Sequence, residues 1–240
     1  MRYRSLRVLS DNIMISTRII DAYRFGSSLE LEEHQLRTCI RFFIKPTAGN
    51  VSVLGGRTVL TLEQIDEFGP VAIKSYRRGG WMRYLNKQRH LKLGKTRAQI
   101  EFEMLQVVRN LGINAPEPVA YAHRGCIFYR AWLVSRAINH PLSLALLSLK
   151  DEKKARQAMK SVIGQISLLI QNSILHVDLH PGNIVVSGTG QIFIVDFDKG
   201  RIHHGSREKL RNRYLARWQR AVTKHRLPEI LTEMLQAGLY

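Results

Sequence analysis

The sequence predicts an α+β fold in two lobes, a small lobe with an antiparallel sheet and one helix, then a mainly helical large lobe. Short β-branched and aromatic runs separated by Gly, Asn and Pro turn signals fill residues 39–76. Apolar residues recur with helical spacing from residue 151 onward. We therefore divide the chain into an N-terminal extension of uncertain structure (1–38), a small lobe (39–136) and a large lobe (137–240).

The predicted elements follow from these patterns. Thr96 and Gln99 form a T-x-x-Q capping box, so the small-lobe helix begins there, and Gly112 ends it. In the large lobe, two short apolar runs after polar loops predict a hairpin. The predicted strands of the small lobe are CIRFFI (39–44), NVSVL (50–54), RTVLTL (57–62), PVAIKSY (70–76) and IFYRAWLV (127–134). The predicted helices of the large lobe span 151–172 and 206–225, with a last short one after Pro228.

The charge balance limits the classes of partner. The chain carries 37 Lys and Arg against 19 Asp and Glu, a net charge of +18. Such a protein attracts nucleic acid, an anionic membrane, or a phosphorylated or carboxylated substrate. Its two cysteines, Cys39 and Cys126, lack zinc-site spacing, and neither a signal peptide nor a membrane span is evident. The expectation from these features is a cytoplasmic protein.

The strongest chemical signal is His176-Val177-Asp178-Leu179, followed by Asn183 and by Asp196-Phe197-Asp198. Phosphoryl transfer to a hydroxyl needs a carboxylate to accept the hydroxyl proton and metal ions to neutralise phosphate charge. We assign Asp178 as the catalytic base. Asn183 and Asp196 offer the hard oxygen ligands that magnesium prefers. Either motif alone would equally suit ordinary turn residues; their order and spacing together favour catalysis.

A second group of candidates lies upstream and would bind ATP. Lys74 ends an apolar strand, where a cation can hold the α- and β-phosphates. Glu101 lies on the apolar face of the next helix, and buried acids are rare unless paired, so we expect it to pair with Lys74. Glu103 is the alternative partner. Gly55-Gly56 lies between two predicted strands, where either a phosphate-covering loop or a plain hairpin turn is expected.

Taken in chain order, VAIK, an acid in the next helix, HVDLHPGN and DFD resemble the protein-kinase-like superfamily. More narrowly, the chain resembles the lipopolysaccharide kinase family, and most closely its Kdo (3-deoxy-D-manno-octulosonic acid) kinases. The narrower resemblance rests on YRRGG (76–80), KTRA (95–98) before Glu101, FYRA (128–131) and DFDKG (196–200), with a later pattern of Asn212, Leu215, Arg217 and Arg220. It implies the protein-kinase-like fold, ATP, Mg²⁺, and γ-phosphate transfer to a sugar hydroxyl of Kdo on lipid A. It also implies peripheral attachment at the cytoplasmic face of the inner membrane.

Departures from the superfamily pattern keep other acceptors open. His180-Pro181-Gly182 is similar to aminoglycoside and choline phosphotransferases, so another small molecule or a heptose is possible. Only 42 residues follow Asp198 and no Ala-Pro-Glu occurs there, which argues against a peptide platform but leaves short atypical Ser/Thr protein kinases open. A nucleic-acid-binding protein is the alternative of another class. We expect no nucleic-acid partner, because no recognition motif accompanies the charge.

Two basic segments concern the acceptor and the membrane. Nine Lys or Arg and no acid occur from Lys74 to Arg97, and among them we assign Arg77 and Arg78 to a lipid-linked acidic sugar acceptor. A solvated basic loop is the simpler alternative. From Lys199 to Arg226 there are ten Lys or Arg and one acid, which suits an anionic membrane surface. The apolar stripe of the same helix, carried by Leu210, Tyr214, Leu215, Trp218 and Val222, would pack either on the large lobe or on lipid.

Overall fold

The computed structural model describes residues 14–45, 59–65, 68–76, 90–91, 94–126 and 128–239. These residues form two units. The sheet unit holds the described residues up to 106 together with 117–137, and the helical unit holds 107–116 and the described residues from 138 onward. The division after Ala137 lies one residue beyond the boundary drawn from the sequence. Strand and helix contents of both units agree with the predicted α+β class.

The sheet unit is built on seven antiparallel strands in the order β1-β2-β6-β7-β4-β3, with β5 paired to β7. Helix α1 packs its Leu36, Cys39, Ile40 and Phe43 into the same core as the buried strand residues. Phe43 stacks on Trp132 of β7 with ring centroids 4.7 Å apart. The strands are β1 (Ser16–Ile20), β2 (Tyr23–Ser27), β3 (Val59–Ile65), β4 (Gly69–Ser75), β5 (His90–Leu91), β6 (Pro118–Arg124) and β7 (Phe128–Arg136); the helices are α1 (Glu33–Ile44) and α2 (Arg97–Asn110).

The helical unit packs its helices around apolar faces and carries two small sheets. Its three-stranded antiparallel sheet has the order β11-β10-β8, and β12 pairs with β9. Met159, Val162, Ile166 and Leu169 form the fully buried face predicted for the long helix. The helices are α3 (Leu144–Lys150), α4 (Glu152–Gln171), α5 (Arg207–Lys224) and α6 (Ile230–Gly238); the strands are β8 (Leu142–Ser143), β9 (Ile174–Leu175), β10 (Ile184–Val186), β11 (Ile192–Ile194) and β12 (Arg201–Ile202).

The structure corrects two element predictions. CIRFFI (39–44) is not a strand but the second half of α1, whose buried positions repeat with helical spacing. The Gln35 side chain accepts a hydrogen bond from the backbone N–H of Glu32, which completes the N-terminus of that helix. The described part of the predicted extension 1–38 contributes β1, β2 and the first half of α1 to the sheet unit. NVSVL (50–54) lies outside the described residues.

The domain division also differs around the end of α2. Residues 107–116, predicted to be in the small lobe, belong to the helical unit because their backbone bonds there. The Asn114 N–H donates to the Gln165 side chain of α4 at 2.6 Å, and the Asn114 carbonyl accepts from Ile194 of β11 at 2.8 Å. Thr96 accepts from the Gln99 N–H at the start of α2, as the capping box requires, and Gly112 has a positive φ of 78° just beyond its end.

Candidate active site

In the sheet unit, the structure brings Lys74 and Glu101 together. Lys74 lies in β4 opposite Leu60 and Leu133, and its Nζ donates to both carboxylate oxygens of Glu101, at 2.8 and 2.7 Å. The Lys74 and Glu101 side chains are 12% and 3% exposed. A carboxylate so deeply buried requires a partner of this kind. The alternative acid, Glu103, instead bonds Lys95 at the surface of α2.

Tyr76 joins this pair, a role that the sequence analysis missed. Its hydroxyl donates to Oε2 of Glu101, and its ring lies 5.2 Å from the Lys74 ammonium. The Arg97 guanidinium lies 5.4 Å from the same ring. Tyr76 comes two residues after Lys74, and side chains at i and i+2 of an extended chain point to the same side. That periodicity was the available signal for the contact.

In the helical unit, Asp178 lies in the loop between β9 and a single 3₁₀ turn formed by Pro181–Asn183. The Asn183 side-chain amide donates to the Asp178 carbonyl at 2.9 Å, and His180 Nδ1 accepts from the Gly182 N–H at 3.0 Å. These bonds fix the loop at both ends. The Asp178 carboxylate itself is half-exposed, so it can reach a substrate.

The Asp178 carboxylate is held by Arg217, which no sequence-based role had covered. Arg217 Nε donates to Oδ1 at 2.9 Å, and a terminal nitrogen of the same guanidinium bonds that oxygen too. Arg217 comes from α5, which packs against the 3₁₀ turn. Oδ1 is therefore occupied, and Oδ2 remains to face a reacting hydroxyl. Arg217 was part of the family-like pattern, but its spacing from Asp178, 39 residues, gave no sign of contact.

His180 lies on the other side of the same carboxylate and is neutral near pH 7. Its Nε2 is 3.9 Å from Asp178 Oδ2. Burial lowers the pKa of His180 from 6.5 to about 4; the nearby Asp178 opposes this, and the positive Arg217 adds to it. Since Nδ1 accepts from Gly182, the proton of the neutral ring is on Nε2. His180 thus presents an N–H toward Oδ2 without adding a charge.

Asn183 and Asp196 lie at one end of the β10–β11 hairpin. Ile184 pairs with Ile194, and the Val195 N–H donates to the Asn183 carbonyl at 3.0 Å. Asp196 follows directly with φ of 67°, a left-handed conformation that is uncommon for any residue except glycine. Such backbone strain clusters at functional sites, where the surrounding structure holds it in place.

A buried framework connects the two segments that carry the candidate residues Asp178 and Asp196. His176 is 2% exposed; its ring packs edge-on against Phe197, with centroids 4.6 Å apart, and its Nε2 lies 2.9 Å from the Val195 carbonyl. The Tyr214 hydroxyl accepts from the His176 N–H and donates to the Ile174 carbonyl, and burial raises the pKa of Tyr214. Tyr214 comes from α5, so the helix that supplies Arg217 also fixes the chain leading to Asp178.

The donor chemistry of Asn183 and Asp196 fits Mg²⁺. Asn183 uses its Nδ2 on Asp178, which leaves the amide oxygen to act as a ligand. Mg²⁺ is typically bound by one or two protein oxygens together with water and substrate phosphates. An amide oxygen and a carboxylate at one end of a hairpin meet that requirement. Gly55, Gly56, Arg77 and Arg78, the remaining candidate residues, lie outside the described residues.

Comparison with known proteins gives the family. The model of the lipopolysaccharide kinase (Kdo/WaaP) family matches residues 50–237. A 3-deoxy-D-manno-octulosonic acid kinase of Xylella fastidiosa (strain 9a5c) is 30% identical over 162 residues, which span 66% of this chain and 64% of that protein. The protein of the same name from Vibrio parahaemolyticus is 34% identical over 159 residues, 64% of this chain and 66% of its own length. The chain therefore belongs to the lipopolysaccharide kinase (Kdo/WaaP) family.

Proposed function

We propose that this protein is an ATP-dependent phosphotransferase that moves the γ-phosphate of ATP to a sugar hydroxyl of Kdo on lipid A. The observation that carries the proposal is the loop around Asp178. A half-exposed carboxylate is bonded on one oxygen by Arg217, and its loop is bonded to Asn183, which lies beside Asp196 at the hairpin end. The relatives named as Kdo kinases support Kdo as the acceptor.

Asp178 acts in this proposal as the base. Its Oδ2 accepts the proton of the sugar hydroxyl while the hydroxyl oxygen attacks the γ-phosphorus, the bond to the β–γ bridging oxygen breaks and ADP leaves. A positioned base of this kind contributes roughly 10²–10⁴-fold to the rate. Arg217 holds the carboxylate in one rotamer, so that Oδ2 rather than Oδ1 meets the acceptor. Neutral His180 directs its Nε2–H toward Oδ2 of Asp178. Because the ring is uncharged, it does not compete with the proton of the hydroxyl for that oxygen as a cation would.

Asn183 and Asp196 hold the metal, and Lys74 holds the nucleotide. A bound Mg²⁺ neutralises charge on the phosphate oxygens. Lys74 contacts the α- and β-phosphates, while Glu101 holds the ammonium in place and the Tyr76 hydroxyl holds Glu101. The proposal keeps Gly55 and Gly56 as candidates for ATP binding, and Arg77 and Arg78 as candidates for acceptor binding, on the grounds of the sequence alone.

We also propose peripheral attachment to the anionic cytoplasmic face of the inner membrane. Among the residues that the structure describes, no helix has the length and apolar character needed to cross a bilayer. The apolar stripe of α5 packs mainly within the helical unit rather than on lipid, because Leu210, Tyr214, Trp218 and Val222 are buried there and Leu215 is half-buried. Attachment then depends on the basic side chains alone, and we expect it to weaken with added salt.

An acceptor series tests the proposed function. Transfer of label from γ-³²P-ATP is measured to Kdo-lipid A, heptosylated lipid A, free Kdo, and a basic protein. We expect Mg²⁺-dependent labelling of Kdo-lipid A well above the other acceptors. Stronger labelling of the heptosylated lipid would make the protein a heptose kinase, and labelling of the protein alone would make it a protein kinase.

A further inference from the structure

Four basic side chains follow one line along α5. Arg213, Arg217, Arg220 and Lys224 are spaced by four, three and four residues. At about 100° per residue they fall within an arc of about 60°, and we call them the α5 basic stripe. Arg213, Arg220 and Lys224 are exposed, and Arg217 is partly exposed with its side chain on Asp178. Arg217, which bonds the candidate base Asp178, thus lies within this line of cations. Arg213 is one helical turn before Arg217, and Lys224 is two turns after it.

The orientation of this stripe is fixed by packing. Leu210, Tyr214, Trp218 and Val222 are buried, and Trp218 Nε1 donates to the Leu231 carbonyl of α6 at 3.2 Å. The stripe runs along the edge of that buried face. Rotation of α5 would expose a tryptophan and a tyrosine, so the stripe keeps its orientation, with Arg217 on Asp178.

Apart from Arg217, the stripe concentrates positive charge that no carboxylate of the described residues neutralises. Helix α5 has seven Lys and Arg and one Glu, and like charges at i and i+4 are unfavourable in a helix. Among the described residues, no carboxylate lies within ion-pair distance of Arg213, Arg220 or Lys224. By contrast, Arg156 of α4 and Arg37 of α1 each pair with the acid four residues earlier. The stripe therefore suits an anionic ligand from outside the chain.

We propose that Arg213, Arg220 and Lys224 bind the anionic groups of the acceptor, namely the phosphates of its glycolipid head group. This inference rests on the proposed function and deepens it. A shallow open depression lined by Ala216, Gln219, Arg220, Thr223 and Lys224 gives the head group a surface to lie on. Arginine suits phosphate because its planar fork bonds two oxygens at once. Phosphates bound at Arg213 on one side and at Arg220 and Lys224 on the other flank Arg217, so the sugar of such a head group lies beside the Asp178 carboxylate.

The test replaces the three exposed cations and measures binding and transfer separately. The stripe variant is Arg213→Gln/Arg220→Gln/Lys224→Gln. The matched control, Lys150→Gln/Lys153→Gln/Lys160→Gln, removes the same charge from exposed positions on α3 and α4. Binding of bisphosphorylated lipid A and of its dephosphorylated form is titrated in neutral detergent micelles. KM values for Kdo-lipid A in the same micelles, for free Kdo and for ATP are then compared.

We expect the stripe variant to bind phosphorylated lipid A at least about tenfold more weakly. The control and the dephosphorylated lipid should show no such difference. KM for Kdo-lipid A should rise in parallel, with KM for ATP and for free Kdo unchanged. The inference is overturned if the stripe variant binds phosphorylated lipid A in neutral micelles as tightly as the wild type does. That holds even if the variant binds anionic vesicles more weakly, because the stripe would then bind only the membrane surface. If the wild type binds phosphorylated lipid A through the stripe but transfers no phosphate, the proposed function fails while the binding site stands.

Discussion

Asp178 is the residue on which the proposed chemistry depends, and its two oxygens have different surroundings. Oδ1 accepts two hydrogen bonds from Arg217, whereas Oδ2 faces the neutral His180 at 3.9 Å. A carboxylate with one oxygen occupied has one direction from which to accept a proton. Arg217 is accordingly a positioning residue, whose effect should pass through Asp178.

Replacing Arg217 tests that role. Arg217→Gln should lower kcat about 10–100-fold, because a misplaced base loses alignment with the hydroxyl, while KM for ATP stays near its normal value. Arg217→Lys should recover only part of the loss, since it cannot make two bonds from one planar group. In the Asp178→Asn background the further loss should be small. An equal fold loss in both backgrounds would show that Arg217 acts independently of Asp178.

The Lys74–Glu101 pair makes a prediction about stability. Lys74→Met leaves a carboxylate that is 3% exposed without its cation, which should lower the free energy of unfolding by on the order of 3 kcal/mol. The double variant Lys74→Met/Glu101→Gln removes both charges and should regain most of that loss, although it remains inactive. Urea unfolding of the three proteins measures this. A double variant less stable than Lys74→Met would mean that the pair is not the source of the effect.

His180 predicts a pH dependence. Its folded pKa of about 4 lies below its ordinary value of 6.5, so the unfolded chain takes up the proton first as the pH falls. The contribution of neutral His180 to the free energy of unfolding is complete above pH 6.5 and is lost as the pH falls from 6.5 to about 4. His180→Gln lacks this titration, so its unfolding free energy should fall less over that range. Parallel pH curves for the two proteins would show that His180 titrates normally.

At the scale of elements, α5 joins structure and site. At the start of α5, the Ser206 side chain accepts a hydrogen bond from the Lys209 N–H. The buried face of α5 packs on α4 and α6. The same helix supplies Tyr214 to the framework behind His176 and Arg217 to Asp178. The spacing of its apolar residues predicted both the helix and its apolar stripe. The choice between lobe and lipid could not be made from the pattern, because either environment buries one apolar face.

A substitution at Trp218 distinguishes packing of the apolar stripe on the protein from packing on lipid. Trp218 is fully buried in the helical unit, so Trp218→Ala should lower the free energy of unfolding by about 3–5 kcal/mol in the absence of any lipid. Exposed Trp-to-Ala changes usually cost far less. Chemical denaturation of the two proteins in buffer without detergent gives the difference. A decrease in the free energy of unfolding below about 1 kcal/mol would mean that the apolar stripe of α5 is not part of the protein core.

Element types were predictable where a single periodicity was strong. The buried face of α4 was clear, since its apolar residues repeat with helical spacing over its length. The strand around Lys74 was predicted instead from a short apolar run, Val71 to Ile73, that follows the turn signal Gly69-Pro70. CIRFFI was wrong because four of its six residues are aromatic or β-branched, which suits either a strand or the end of an amphipathic helix; the decisive positions, Leu36 and Gln35, lie before it. β1 was missed because its residues are mostly exposed, and β6 because all but its last residue are buried, so neither alternates.

At the scale of the whole molecule, chain order predicted a division of the chain into two parts, and the candidate residues are assigned to each part separately. The structure brings Lys74 to Glu101 in one unit, and Asp178, Asn183 and Asp196 to neighbouring segments in the other. Local spacing could not show the bond of Arg217 to Asp178, because these residues are 39 positions apart and meet only through packing. The i, i+2 spacing placed Tyr76 on the side of Lys74 but could not show its bond to Glu101, 25 positions away. The same holds for residues 107–116, whose assignment to the helical unit is decided by bonds to α4 and β11.

The most direct test of the proposed chemistry is the rate of phosphate transfer from ATP to Kdo-lipid A by wild type and by Asp178→Asn. Both substrates are saturating, and ATP binding is measured alongside. Wild type should transfer phosphate with Mg²⁺, and the variant should bind ATP normally but react roughly 10²–10⁴-fold more slowly. A variant that keeps a near-normal rate, or a wild type that leaves Kdo-lipid A unlabelled, would contradict the proposal.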